Sequence, residues 1–330
     1  MKKFLNDPAR FVDESVRAFG LAHSDILGVN ADPLYVVRND APVAGRVGVI
    51  SGGGSGHEPM HAGFVGEGML DAAVPGPVFT SPSPDPIEAA SRAVDSGAGV
   101  LHIVKNYTGD VLNFETAAEL ADDVEITTVL VNDDVAVEDS LYTAGRRGVA
   151  GTILVEKIAG AAAARGDDLA GVTALAQRAA DNVRSMGLAL DSPVSPSTGE
   201  HSFDLGDDEV EIGIGIHGEP GRRRIPMTTS DELTDQLTDP VVEDLGLTGG
   251  EKVVLLVNGM GATPDSELYL IYGRARARLE EKGVEVVRSK VGSYVTSLDM
   301  AGASVTVLKV DDELLALYDA PARTVAWTQG

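Results

Sequence analysis

Residues Ser51-Gly-Gly-Gly-Ser-Gly-His-Glu-Pro-Met-His61 follow directly on the apolar run Arg46–Ile50, setting histidines behind a row of glycines. Such a row can cradle phosphate, expose a nucleophile or precede a metal helix. A nucleotide P-loop needs Gly-Lys-Ser/Thr at its end, whereas Gly56 is followed by His57-Glu58. The dinucleotide fingerprint fails in both registers, which place the third glycine at His57 or at Pro59. A nucleophile elbow around Ser55 needs glycine at 57. His57-Glu58-Pro59-Met60-His61 does complete the H-E-x-x-H pattern of zinc hydrolases. Its context is poor, because Pro59 is tolerated only in a first helical turn and no convincing third ligand follows. Zinc hydrolysis is thus a remote alternative; a ligand loop at a strand end, or simply a turn histidine, is the plainer reading of His57.

Two further segments carry chemistry. Gly99–Val104 runs into Lys105-Asn-Tyr-Thr-Gly-Asp110, which puts a lysine and a carboxylate just beyond an apolar strand, where they could serve a site or merely pair with each other. In Val210-Glu-Ile-Gly-Ile-Gly-Ile-His-Gly-Glu-Pro-Gly221, isoleucines alternate with other residues in a strand pattern that ends at His217. Alone, His217 could be a strand-end histidine satisfied by backbone. Two His-Glu pairs beside glycines, one in each half of the chain, point instead to a pocket between two units.

The elements that must position these residues alternate. Strands are expected at Arg46–Ile50, Gly99–Val104 and Ile126–Val131, with helices over Pro86–Ser96 and Phe114–Ala121. A helical block follows over Asp139–Arg147, Ala150–Arg165 and Asp168–Met186, with Gly166 and Gly187 as stops. Asp191–Gly199, rich in turn formers, reads as a linker. Beyond it come strands at Val210–Ile216, Lys252–Val257, Val284–Ser289 and Ser304–Val310 and a helix over Asp265–Lys282. The expected fold is α/β, with two α/β domains, 1–190 and 191–330, each a mostly parallel or mixed sheet flanked by helices.

Composition bounds the function. The 330 residues carry 51 acidic and 26 basic side chains, a net charge of -25, which repels nucleic acid. A dense acidic surface suits high salt, where screening is strong, so a halophilic source is expected. No cysteine is present, which removes disulfides and thiolate chemistry. The opening MKKFLNDPAR lacks the apolar core of a secretory signal and no apolar run reaches membrane-spanning length, so a cytoplasmic location without membrane contact is expected. The run Arg222-Arg223-Arg224 is either a docking patch or a solvated loop, and the single tryptophan, Trp327, reads as packing.

The stretches SGGGSGHEPMHAGFVGEGMLDAAVPGPVFTSPSPD, IVKNYTGDVLNFETAAEL, VNDDVAVEDSLYTAGRRGVAGTILVEKIAGAAAARGD, GIGIHGEPG and LVNGMGATPDSELY, in this order, resemble the substrate-binding K subunits of dihydroxyacetone kinases. The resemblance implies a subunit that holds dihydroxyacetone as a hemiaminal on His217, with His57 and Asp110 as further catalytic residues. It also implies that Gly54, Ser55, Gly56, His57, Lys105, Asp110 and His217 bind substrate. No cofactor or metal is expected on this chain, which lacks a P-loop and ends after the K region. ADP/ATP with Mg is expected on a separate L subunit, recharged by an M subunit of the phosphoenolpyruvate-dependent phosphotransferase system. A homodimer is implied. Relatives that sense dihydroxyacetone as coactivators, without kinase activity, give the alternative function.

Overall fold

The computed structural model describes residues 3–136 and 145–330. Among these, a six-stranded sheet is formed by β1 (Leu27–Ala31), β2 (Leu34–Arg38), β3 (Gly48–Ser55), β5 (Ala72–Val78), β6 (Val100–Lys105) and β7 (Ile126–Val131), in the order β1-β2-β5-β3-β6-β7. β5, β3, β6 and β7 run parallel to one another, and the β1-β2 hairpin adds two strands at one edge, β2 antiparallel to β5. A second six-stranded sheet takes β8 (Val183–Ala189), β9 (Glu209–Ile212), β10 (Arg223–Pro226), β11 (Lys252–Gly259), β12 (Glu285–Gly292) and β13 (Gly302–Val310), in the order β10-β9-β8-β13-β11-β12. This sheet is mixed: β11 is parallel to β12 and antiparallel to β13. The helices are α1 (Phe11–Ala22), α2 (Pro84–Val94), α3 (Thr108–Leu120), α4 (Thr152–Arg165), α5 (Leu169–Asp181), α6 (Ser230–Asp244), α7 (Asp265–Glu281) and α8 (Asp312–Asp319). The expected α/β architecture of two mixed or parallel sheets flanked by helices is observed.

The period of two in each strand sorts side chains between helix layers. Ile50, Val100 and Val104 join α2 and α3 residues such as Ile87, Ala90 and Phe114 in one core. Val49, Leu101 and Ile103 face the other way, into a core with α4 and α5. Burial on both faces explains why these strands read as continuous apolar runs. Lys105, next in the Leu101–Ile103 register, is carried into the α4 side, where a charged residue is not expected. α4 is buried at every position from Thr152 to Ala163, and the core around it continues to Val254, Leu256 and Leu308 of the second sheet. A helix buried all round is one enclosed by the fold.

Several expectations are corrected. The glycine row is strand, not loop: β3 continues through Ser55, with Gly52, Gly53 and Gly54 paired to Val74, Pro75 and Gly76. α3 begins at Thr108, so Asp110 lies in a first helical turn rather than a loop. The helix expected to Met186 stops at Asp181; Val183–Ala189 is a central strand, and Gly187 lies within it, paired to Ser304 of β13. Sheet membership therefore changes ahead of residue 190. The C-terminal β14 (Ala322–Thr324) pairs with β15 (Thr328–Gln329) and returns to β4 (Gly66–Glu67) of the N-terminal half. β9 ends at Ile212, five residues before His217, because Gly213 adopts a φ of 83° and turns the chain. The helix expected over Asp139–Arg147 lies outside the described residues except for 145–147, which are not helical.

The arginine run is exposed but largely engaged: Arg223 donates to Gln236, and Arg224 to Glu211 and the Asp204 carbonyl. Trp327 is buried, as expected of a packing residue, edge-on to Tyr318 with Lys290 Nζ 3.9 Å from its ring centroid.

Candidate active site

β3 delivers His57, α3 delivers Asp110 and the turn after β9 delivers His217 to one place. The rings of His57 and His217 lie 4.8 Å apart edge to face, Phe79 stacks on His57 at 5.2 Å, and Tyr107 meets His217 at 4.6 Å. A cavity of about 830 Å³ opens beside them, its wall including Gly54, Phe79, Tyr107, Asp110, His217 and Glu219. This is ample room for a small ligand.

Hydrogen bonds fix the tautomer that each imidazole takes when neutral. His57 Nδ1 is 2.7 Å from the Thr296 carbonyl, which can only accept, so Nδ1 bears the proton and Nε2 the lone pair. That Nε2 is buried and meets no hydrogen-bond partner among the described residues. Burial first, then the neighbouring His217 and Lys105, hold the His57 pKa well below the ordinary imidazole range, so the ring is neutral. His217 Nδ1 lies 2.9 Å from Glu219 Oε1, and the His217 backbone N–H donates to Glu219 Oε2 at 3.0 Å. Burial would raise the Glu219 pKa, but His217 and then Arg147 outweigh it and bring it down to about 2. Glu219 is thus an anion that accepts from Nδ1–H, which places the lone pair of a neutral His217 ring on Nε2.

Asp110 is buried in the first turn of α3, where the helix N-terminus favours a negative charge. Its nearest cation is Lys105, with Nζ 3.9 Å from Oδ2. Lys105 itself is fully buried behind Gly53 rather than on the cavity wall; it donates to the Gly52 carbonyl at 3.0 Å and to His61 Nε2 at 2.7 Å. Gly53 is required here, since a β-carbon would stand 2.3 Å from Lys105 Nζ on a backbone with a φ of 154°. Gly53→Ala is expected to destabilise the protein by about 2–4 kcal/mol, through backbone strain and a displaced buried cation, measurable by denaturant unfolding.

The sequence-predicted residues therefore divide. His57, Asp110, His217 and Gly54 come together. The Ser55 hydroxyl turns away to the Gly76 carbonyl, and Ser55 lines a separate cavity of about 420 Å³. The Gly56 amide already donates to the Glu58 carboxylate. His57–His61 forms a turn, not a zinc helix, and both His61 nitrogens are taken, by Glu156 and by Lys105. Among the described residues no group of three or more histidines or carboxylates is arranged to hold a metal. Phe79 and Tyr107 were not expected in the site; Tyr107 stands inside the quoted Lys105–Asp110 stretch and could have been read as a wall for it.

The Dak1 domain matches residues 17–326. Over 100% of both chains the sequence is 49% identical to the PEP-dependent dihydroxyacetone kinase, dihydroxyacetone-binding subunit, of Escherichia coli strain K12. The crystal structure of the dihydroxyacetone kinase of C. freundii aligns with a TM-score of 0.91 and 37% identity, over 99% of this chain and 60% of that one. A dihydroxyacetone kinase operon co-activator aligns with a TM-score of 0.90 and 35% identity, over 96% of this chain and 98% of its own. With a domain match spanning nearly its whole length and an E. coli relative similar from end to end, the chain belongs to the Dak1 family.

Proposed function

We infer that this chain is the dihydroxyacetone-binding subunit of a dihydroxyacetone kinase. The observation that carries the reading is the His217–Glu219 pair on one cavity wall with Asp110, with the buried His57 ring against His217. His217 Nε2 attacks the ketone carbon; the N–C bond forms as the carbonyl π pair moves to oxygen, which takes a proton from water, and the Nδ1 proton is given up past Glu219 to water, so the proton count balances. The Glu219 carboxylate stabilises the positive charge that develops on the imidazole. A ketone is captured this way and glycerol, which has no carbonyl, is not. The adduct holds a terminal hydroxyl for transfer, which removes much of the entropic barrier. Asp110 takes the hydroxyl proton as phosphorus arrives, and the neutral His57 hydrogen-bonds the substrate oxygens through Nε2 or a water.

The phosphoryl group comes from ADP/ATP with Mg on a separate L subunit, recharged by the M subunit of the phosphotransferase system. This chain works as a homodimer in the cytoplasm, and its acidic surface suits high salt. No helix among the described residues is long and apolar enough to cross a membrane. The co-activator likeness supports a second reading, a dihydroxyacetone sensor. Purified L subunit, a recharging system and dihydroxyacetone distinguish the two: dihydroxyacetone phosphate forms if the chain is a kinase subunit, and none forms if it is a sensor.

A further inference from the structure

Beneath the site lies a row of buried ionisable groups that the phosphoryl-transfer chemistry leaves unused. Glu156 of α4 places Oε1 2.5 Å from His61 Nδ1, His61 Nε2 is 2.7 Å from Lys105 Nζ, and Lys105 Nζ is 3.9 Å from Asp110 Oδ2. Glu156 and Lys105 are wholly buried and His61 nearly so, and Glu156 Oε2 meets no hydrogen-bond partner among the described residues. A neutral imidazole offers one N–H and one lone pair. Both bonds can therefore stand only if Lys105 and Glu156 are in opposite roles, one donating to the ring and the other accepting from it. Two arrangements satisfy this with the same number of protons. In the first, Lys105 is an ammonium, His61 carries its proton on Nδ1 and Glu156 is a carboxylate. In the second, Lys105 is a neutral amine, His61 carries the proton on Nε2 and Glu156 is a carboxylic acid.

We propose that Glu156, His61 and Lys105 form a buried proton chain that sets the charge facing Asp110, with Glu156 and His61 as positioning residues. With Asp110 ionised, the ammonium form is favoured because it pairs the two charges. Once Asp110 has taken the substrate proton, the buried ammonium keeps only the Glu156 carboxylate, across His61. One proton then passes from Lys105 Nζ to His61 Nε2 while the Nδ1 proton passes to Glu156; no proton is gained or lost, and both ends finish neutral. The other titratable group facing the chain is His57, which burial and Lys105 keep neutral. Burial lifts the Glu156 pKa to about 8, against the pull of Lys105, and lowers that of Lys105, so the two ends approach one another in proton affinity. The role of Asp110 as proton acceptor rests on the function proposed above; the tautomer exchange does not.

The test is histidine-selective 15N NMR at neutral pH, with the His61 signal assigned through His61→Asn. Wild-type protein is expected to show His61 protonated at Nδ1, and Asp110→Asn, which removes the negative charge, to show it protonated at Nε2. The same tautomer in both proteins overturns the proposal. In the reconstituted transfer assay, Glu156→Gln is expected to lower kcat by about 10-fold with KM changed less than about threefold, since a glutamine cannot take the proton. An unchanged kcat in a folded Glu156→Gln protein also overturns it. If wild-type protein transfers no phosphate at all, the kinase reading fails while the tautomer comparison still decides the proton chain.

Discussion

His217→Ala is expected to abolish the covalent adduct with dihydroxyacetone and to lower kcat/KM by on the order of 10³-fold or more, because the nucleophile and the tether are lost together. The fold should survive. His217 is only partly buried, in a turn beyond β9, and belongs to none of the apolar cores. What the truncation leaves behind is Glu219, a buried carboxylate without its Nδ1–H donor, at a cost of about 1–3 kcal/mol. His217→Asn separates the two effects, since its side-chain amide can still donate to Glu219 but cannot attack a ketone. Both variants should fail to form the adduct, with His217→Asn closer to wild type in thermal stability. Adduct formation by either one would refute the assignment of the nucleophile.

Asp110→Asn is expected to separate binding from transfer. The variant should still capture dihydroxyacetone on His217, because the attack requires only the Nε2 lone pair and the Glu219 anion. Transfer should fall by about 10²–10⁴-fold, the usual contribution of a positioned general base. Isosteric replacement keeps the cavity wall intact, so a change in adduct affinity beyond a few-fold would point to a binding role instead. Turnover equal to wild type would remove Asp110 from the chemistry.

The alternation of apolar runs and helices made the α/β class legible, and the central strands of the first sheet were readable because burial on both faces leaves them uniformly apolar. The ends of elements were not. Gly52–Gly54 read as a loop because glycine is rare inside strands, yet here the row is strand, and Gly53 is what lets Lys105 pass beneath it. Val183–Met186 read as the tail of a helix because the alanine-rich Leu169–Ala180 precedes it; the register of this strand against β13 is a long-range pairing that no local pattern records. His57, Asp110 and His217 were legible as chemistry beside glycines, but their meeting depends on contacts such as Thr296 to His57, 239 positions apart in the chain. Glu156 was hidden by its surroundings: in Ile153–Ala163 it looks like a solvent position on an alanine-rich helix, and only enclosure of α4 turns it inward.

The proposed function stands on a bond from His217 Nε2 to the ketone carbon. It is tested most directly by NMR of protein carrying 15N-labelled histidine, mixed with dihydroxyacetone labelled with 13C at the carbonyl. A tetrahedral carbon with one-bond coupling to a single imidazole nitrogen is expected, and is absent in His217→Asn. A bound carbon that remains a carbonyl, or one that shows no coupling to nitrogen, would contradict it.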